Sequence, residues 1–292
     1  DPNAWRLFVI NADGTGLSPL TSSDQQLDLS QFGPAAIGLE AYDDTDPAWL
    51  PDGRIVFSST RWPSFGHYSG VRTTNLYVVN ADGSNLHRIT AERNGADRPL
   101  VDPLTGKIVF SRWWRNHRFA LDDQRTVLRD GGGYVQKDGL SASRDVQMTG
   151  RPEFGDYLWR HVWNPASINP DGTELKAWGG SFLQEGDGSS NHVYGGAFSP
   201  DGAFYANFFP MFNMTEAAGF GGIRRFMPGP ASYQPIIGIT GLQTTYVKND
   251  EPKSFGIYPG PYAAEPAVMS DGALLISFAR DIHQDYGLYR IA

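Results

Sequence analysis

Six histidines are spread along the chain, at His67, His87, His117, His161, His192 and His283. No two of them stand in an HxH, HxxxH or HExxH arrangement, so no local pair has the spacing that closes on a zinc ion. Ligands converging from separate strands are left open by this pattern, and the identity of any metal stays unknown. Asp43-Asp44-Thr45-Asp46 is the densest group of carboxylates, and oxygen-rich clusters suit hard cations such as Ca²⁺. The group lacks the Asp-x-Asp-x-Asp-Gly spacing of a calcium loop, and an acidic turn is the commoner use of such a run. There is no Gly-x-Ser-x-Gly elbow. Gly131-Gly132-Gly133 and Gly219-Phe220-Gly221-Gly222 lack the flanks of a phosphate loop. These patterns name no catalytic residue.

Binding chemistry is densest in Ser111-Arg112-Trp113-Trp114-Arg115-Asn116-His117-Arg118 and in the later Tyr157-Leu158-Trp159-Arg160-His161. Arg and Trp are enriched at interface hot spots, and the same mixture can stack on sugar rings or contact a porphyrin. Cation–π packing of Arg on Trp is the structural alternative. Arg112, Trp113, Trp114, Arg115, His117 and His161 are therefore the candidate ligand- or partner-binding set.

The formal charge of -8 argues against sequence-independent nucleic-acid binding, which needs a basic footprint. With no cysteine among the 292 residues, thiolate metal sites, disulfides and the CxxCH attachment of covalent haem are excluded within this stretch, and no cofactor is identifiable. No apolar run is long enough to span a membrane. A cysteine-free chain that starts at Asp1 rather than Met fits an exported bacterial protein, periplasmic or extracellular, or a segment of a longer chain.

The elements that must position these residues are repeats. One phrase reads LFVINADG, LYVVNADG and ASINPDG; the other reads DPAWLPDGRIVFSSTR, RPLVDPLTGKIVFSR, GGAFSPDGAFYANFF and EPAVMSDGALLISFAR. The turn pairs Asp13-Gly14, Asp52-Gly53, Asp82-Gly83, Asp171-Gly172, Asp201-Gly202 and Asp271-Gly272 are structural: Gly takes a positive φ and Asp caps its own backbone. A Pro-led strand, a β-branched strand, a third strand into the Ala-Asp-Gly turn and a short fourth make one four-stranded antiparallel propeller blade.

The pair NADGSNLHRIT and DTDPAWLPDGRIVFSSTR resembles the WD40-like repeat of TolB-like β-propellers. The resemblance implies an all-β propeller of four-stranded blades in one domain over 1–292, four to five blades being visible in a ring of six or more. Complete blades are expected at Asp46 to Thr90, Arg98 to Trp178 and Tyr194 to Thr240, with a fourth starting at Glu265. Leu7 to Thr21 supplies a third and a fourth strand alone, which does not balance a simple strand-swap closure and points to a segment or a completing partner. GKIVFSRWW followed by NPDGTELKAWGG also resembles, more loosely, the propeller portion of hydrazine synthase alpha-subunit-like proteins, whose haem motifs do not occur here.

Blade spacing is stretched by insertions at about 22–43, 116–159, 180–192 and 241–262. Long loops of this kind carry function or disorder, and in a propeller they lie on the faces of the disc. The leading expectation is an exported, non-catalytic scaffold or assembly subunit that binds a protein partner, such as a cytochrome or a membrane-associated complex, through the insertion-rich face. The alternatives are a segment of a haem-containing redox enzyme and a metal-dependent carbohydrate-active propeller.

Overall fold

A computed structural model describes residues 4–21, 29–66, 70–115, 128–129, 133–134, 161–178, 184–185, 189–210, 222–227, 234–236, 262–280 and 285–291. Among these, the only helical element is a 3₁₀ segment at Ser30–Ala36. Among the described residues no helix is long and apolar enough to cross a membrane.

The chain opens with a two-stranded ribbon, β1 (Phe8–Val9) against β2 (Ser18–Pro19). The first blade follows as a meander of β3 (Asp44–Trp49), β4 (Ile55–Ser59), β5 (Asn75–Val79) and β6 (His87–Arg88). The second contains β7 (Ala96–Val101), β8 (Ile108–Arg115), β11 (His161–Ile168) and β12 (Lys176–Ala177). Between β8 and β11 the insertion carries a small ribbon, β9 (Leu128–Arg129) with β10 (Gly133–Tyr134). The third blade has five strands: β13 (Gln184–Glu185), β14 (Ser189–Phe198), β15 (Phe204–Pro210), β16 (Gly222–Met227) and β17 (Gln234–Ile236). The fourth has β18 (Tyr262–Val268), β19 (Leu274–Ala279) and β20 (Gly287–Ile291).

Residues 189–192, expected in an insertion, instead lengthen β14, with His192 opposite Phe209. The N-terminal ribbon pairs with itself and packs Leu7 and Leu20 onto Ile55, Phe57, Tyr77 and Val79 of the first blade.

The middle strands β4 and β5 are buried along their whole length. They read as β-branched and aromatic runs because both faces of a blade are covered by its neighbours. The core is accordingly a series of inter-blade layers. Val56, Leu76 and Val78 meet Ile108, Phe110 and Ile168 between the first and second blades. Val109 and Trp178 meet Val193, Phe204 and Phe226 between the second and third. Ile223 meets Ala263, Leu274 and Ile276 between the third and fourth.

The Asp–Gly turns repeat one bonding scheme. In Asn11–Thr15, Asn80–Ser84 and Asn169–Thr173, the first residue's N–H donates to the last carbonyl at 2.9 Å. Asp13, Asp82 and Asp171 each accept from the N–H and the hydroxyl two residues on. Asp52, Asp201 and Asp271 accept the N–H of Arg54, Ala203 and Ala273. All six carboxyls are held below the usual Asp range, by side-chain hydrogen bonds first in five of them and by the backbone N–H first in Asp271.

Antiparallel order places the turns between first and second strands, and between third and fourth, at one end of every blade. The connections from second to third strand, and from one blade to the next, open at the other end. The chain leaves β2, β8, β12 and β17 at that end, so all four insertions depart from the same end of the blades.

Candidate functional site at the axis and the insertion face

Each inner strand breaks register at one point: Thr45/Ala48 in β3, Asp97/Leu100 in β7, Val193/Gly196 in β14 and Ala264/Ala267 in β18. At these bulges Asp46, Arg98, Gly195 and Glu265 take φ values of 52°, 51°, 68° and 53°. Three are non-glycine residues in the left-handed region, which is sparsely populated and tends to mark functional sites. In Asp46-Pro47, Arg98-Pro99 and Glu265-Pro266 the following proline has no N–H to lose where the ladder is interrupted.

Stitches tie these bulges to the preceding blade. Gly195 N donates to Ser111 Oγ at 2.8 Å, and Glu265 N donates to Asn207 Oδ1 at 2.7 Å. Arg98 Nη1 reaches across Gly195 to both Glu265 oxygens, at 2.7 and 2.6 Å. Burial disfavours the Arg98 charge, but Glu265 outweighs it and the guanidinium is held above its ordinary range. Asp46, Arg98, Leu100 and Gly195 line a cavity of 170 Å³ beside this pair.

Asp97 is the unusual group. Burial pushes its carboxyl up to about 6, with Asp46 adding to the effect while Thr74, Tyr194 and Arg98 oppose it. The Tyr194 hydroxyl donates to Asp97 Oδ2 at 3.3 Å, and burial, reinforced by Asp97, pushes that phenol far up. From Tyr194 a chain of rings runs outward: Tyr194 to Trp163 at 4.8 Å, then Trp163 to Trp113 at 4.8 Å. It ends two residues from Arg115↔His161, the strand pair from which the longest insertion departs. A buried carboxyl that keeps its proton up to about pH 6, a phenol and an ion pair can hold or release a proton and orient a polar group.

The sequence-selected residues are only partly brought together. Trp113 belongs to the ring chain, and Arg112 Nε lies 2.9 Å from Glu92 Oε2. Trp114 stands opposite Val162, and Arg115 opposite His161. His117 lies outside the described residues, as do His67 and His283. His87 Nδ1 sits 2.8 Å from the Asn85 carbonyl on the rim. The Asp43–Asp46 carboxylates diverge: Asp43 accepts from Trp5 N, Asp44 from buried Arg61 and Asp46 from Thr45 Oγ1. Among the described residues, no group of three or more His, Asp or Glu is placed to hold a metal. Sequence reasoning missed Asp97, Arg98, Tyr194 and Glu265. The signal was the repeated acidic or basic residue before Pro at one position of three units.

No family model matches the chain. A curated relative, the uncharacterized peptidase YuxL of Bacillus subtilis (strain 168), is 25% identical over 159 residues, 54% of this chain and 20% of its own length. Among solved structures, Kuenenia stuttgartiensis hydrazine synthase superposes with a TM-score of 0.53 at 14% identity, over 98% of this chain and 34% of that one. TolB from Acinetobacter baumannii gives 0.42 at 12% identity, over 98% of this chain and 49% of that one. The chain thus spans well under two thirds of each of these proteins, and such identities speak to the fold alone. With four meander sheets packed side by side through their inner strands, the fold is a β-propeller.

Proposed function

We propose that the chain is a non-catalytic propeller, exported to the periplasm or cell exterior, that holds a protein partner on its insertion face. The observation that carries this reading is the one-sidedness of the disc. Every long segment leaves from one face, while the turns of the other close on their own backbones. Binding loops on a rigid scaffold are the common arrangement, and Arg112, Trp113, Trp114, Arg115, His117 and His161 stand at or beyond the root of the longest of them. The cysteine-free composition fits an exported chain that needs no disulfide staples.

The test replaces residues 116–160 by a short Gly-containing turn between Arg115 and His161. The shortened propeller should unfold within a few degrees of the parent and lose the species that crosslinks to the parent chain in a native periplasmic extract. A parent chain that crosslinks to nothing there, or a shortened chain that retains the same crosslink, overturns the reading.

A further inference from the structure

On the insertion side of the first blade, the segments after β4 and β6 enclose a cavity of 290 Å³ away from the axis. Its walls include Trp62, Ser64, Phe65, Arg88, Glu92 and Arg93. The Arg88 guanidinium lies over the Trp62 ring at 3.7 Å, and Phe32 meets that ring edge-on at 5.0 Å, so the cation is held in place by aromatic packing. Phe65 leaves 49% of its surface exposed.

The charge balance of the walls is lopsided. Glu92 is neutralised by Arg112 at 2.9 Å. Among the described residues neither Arg88 nor Arg93 has a carboxylate partner. Ser64 Oγ is buried and makes no hydrogen bond. An unsatisfied buried hydroxyl is uncommon and calls for an explanation. Two guanidiniums without a carboxylate among the described residues, a buried hydroxyl without a hydrogen bond and aromatic walls together describe a receptor for a planar oxyanion attached to an apolar ring. The volume sets the size: 290 Å³ lies just under the range of about 300–1,000 Å³ for small-molecule sites, which suits one ring rather than a chain of them.

We propose that this cavity binds a small ring-bearing carboxylate, with Arg88 and Arg93 on the carboxylate, Ser64 donating to it and Phe65 against the ring. The site is independent of the partner-binding reading and stands or falls without it.

The test is calorimetric titration of the full chain with benzoate, with benzyl alcohol as the uncharged control and inorganic phosphate as the competing oxyanion. Saturable one-site binding of benzoate is expected, with benzyl alcohol and phosphate each about tenfold weaker or more, the scale of a lost charge-assisted hydrogen bond. Arg93→Gln should weaken benzoate by a similar factor and leave the unfolding midpoint in place, because the Arg93 side chain is exposed. Arg88→Gln should weaken it as much or more. If the Arg88 variant loses stability through its Trp62 contact, Arg93→Gln decides the matter. Absence of saturable benzoate binding, equal affinity for the alcohol, tighter binding of phosphate, or an unchanged affinity in Arg93→Gln overturns the proposal.

Discussion

Arg98 and Glu265 belong to blades that are not neighbours, yet Arg98 Nη1 lies 2.6 Å from Glu265 Oε2. The third blade stands between them and gives way at one atom. A Cβ on Gly195 would fall 2.6 Å from Arg98 Cδ, so the missing side chain is what lets the arginine pass. Asn207 holds the far end, accepting from Glu265 N and donating to the Tyr194 carbonyl at 3.0 Å.

Because the two side chains are 30% and 48% exposed, the pair is worth no more than about 1 kcal/mol. Glu265→Gln should lower the unfolding free energy by that amount or less. Gly195→Ala should cost about 1–2 kcal/mol, adding the strain of a positive φ to the displaced arginine. Gly196→Ala should cost about 3 kcal/mol or more, since its Cβ would lie 2.3 Å from the Tyr205 carbonyl oxygen, which is backbone and cannot step aside. Urea unfolding of the three variants checks the order. Equal losses at Gly195 and Gly196 would refute it.

Asp97 makes stability fall with rising pH. Its folded value of about 6 lies above the ordinary 3.8, so between the two the native state binds the proton that the unfolded state has released. The favourable contribution is intact below about pH 4 and gone above about pH 6. At about 1.4 kcal/mol per unit, the full penalty reaches roughly 3 kcal/mol before any allowance for the partly open carboxylate. Asp97→Asn should therefore match the parent at pH 4 and exceed it at pH 8, as read by denaturant unfolding at both. Tyr194→Phe removes a donor to the charged form and should steepen the parent's decline.

The turn aspartates act in the opposite sense. Their folded values are depressed, so their contribution is present above about pH 4 and is lost as the pH falls through the folded value. Replacing Asp82 and Asp171 together by Asn should flatten the acid limb of the stability profile while leaving its slope between pH 5 and 8 unchanged. An unaltered acid limb would assign acid sensitivity to other groups.

Arg61 and Asp44 form a buried pair, 5% and 0% exposed, at 2.6 Å within the first blade. The guanidinium also lies 4.6 Å from the Tyr42 ring and 5.2 Å from that of Tyr77, whose phenol burial pushes up to about 12. Asp44→Ala strands a buried cation and should cost about 3–5 kcal/mol. The double change Asp44→Leu with Arg61→Met should recover most of that loss in thermal unfolding. If the double variant is as unstable as the single one, packing rather than the orphaned charge is the cause.

The sheets were legible because hairpin chemistry is local. Asn80-Ala-Asp-Gly-Ser fixes its own turn with bonds that span five residues, and strand pairing follows from it. The axial cluster was not legible, since the Arg98–Glu265 meeting depends on a bulge in each of two strands and on a missing Cβ in a third. Arg112 and Trp113 show what residue type leaves out. Their types suggest an open surface, but the fold commits one to Glu92 and the other to Trp163. Residue type cannot report whether a neighbour 20 or 50 positions away has already claimed a side chain.

The stacking of self-contained meanders also has a consequence in time. Pairs such as Ile55↔Val79 lie close in the chain and can form as each hairpin emerges, so the blades can condense one after another. The Arg98–Glu265 bridge, spanning 167 positions, must wait until the third and fourth blades are in place. Removing it should then quicken the rate of unfolding and leave the rate of folding almost unchanged, which makes the bridge a latch on the finished molecule rather than a guide to it.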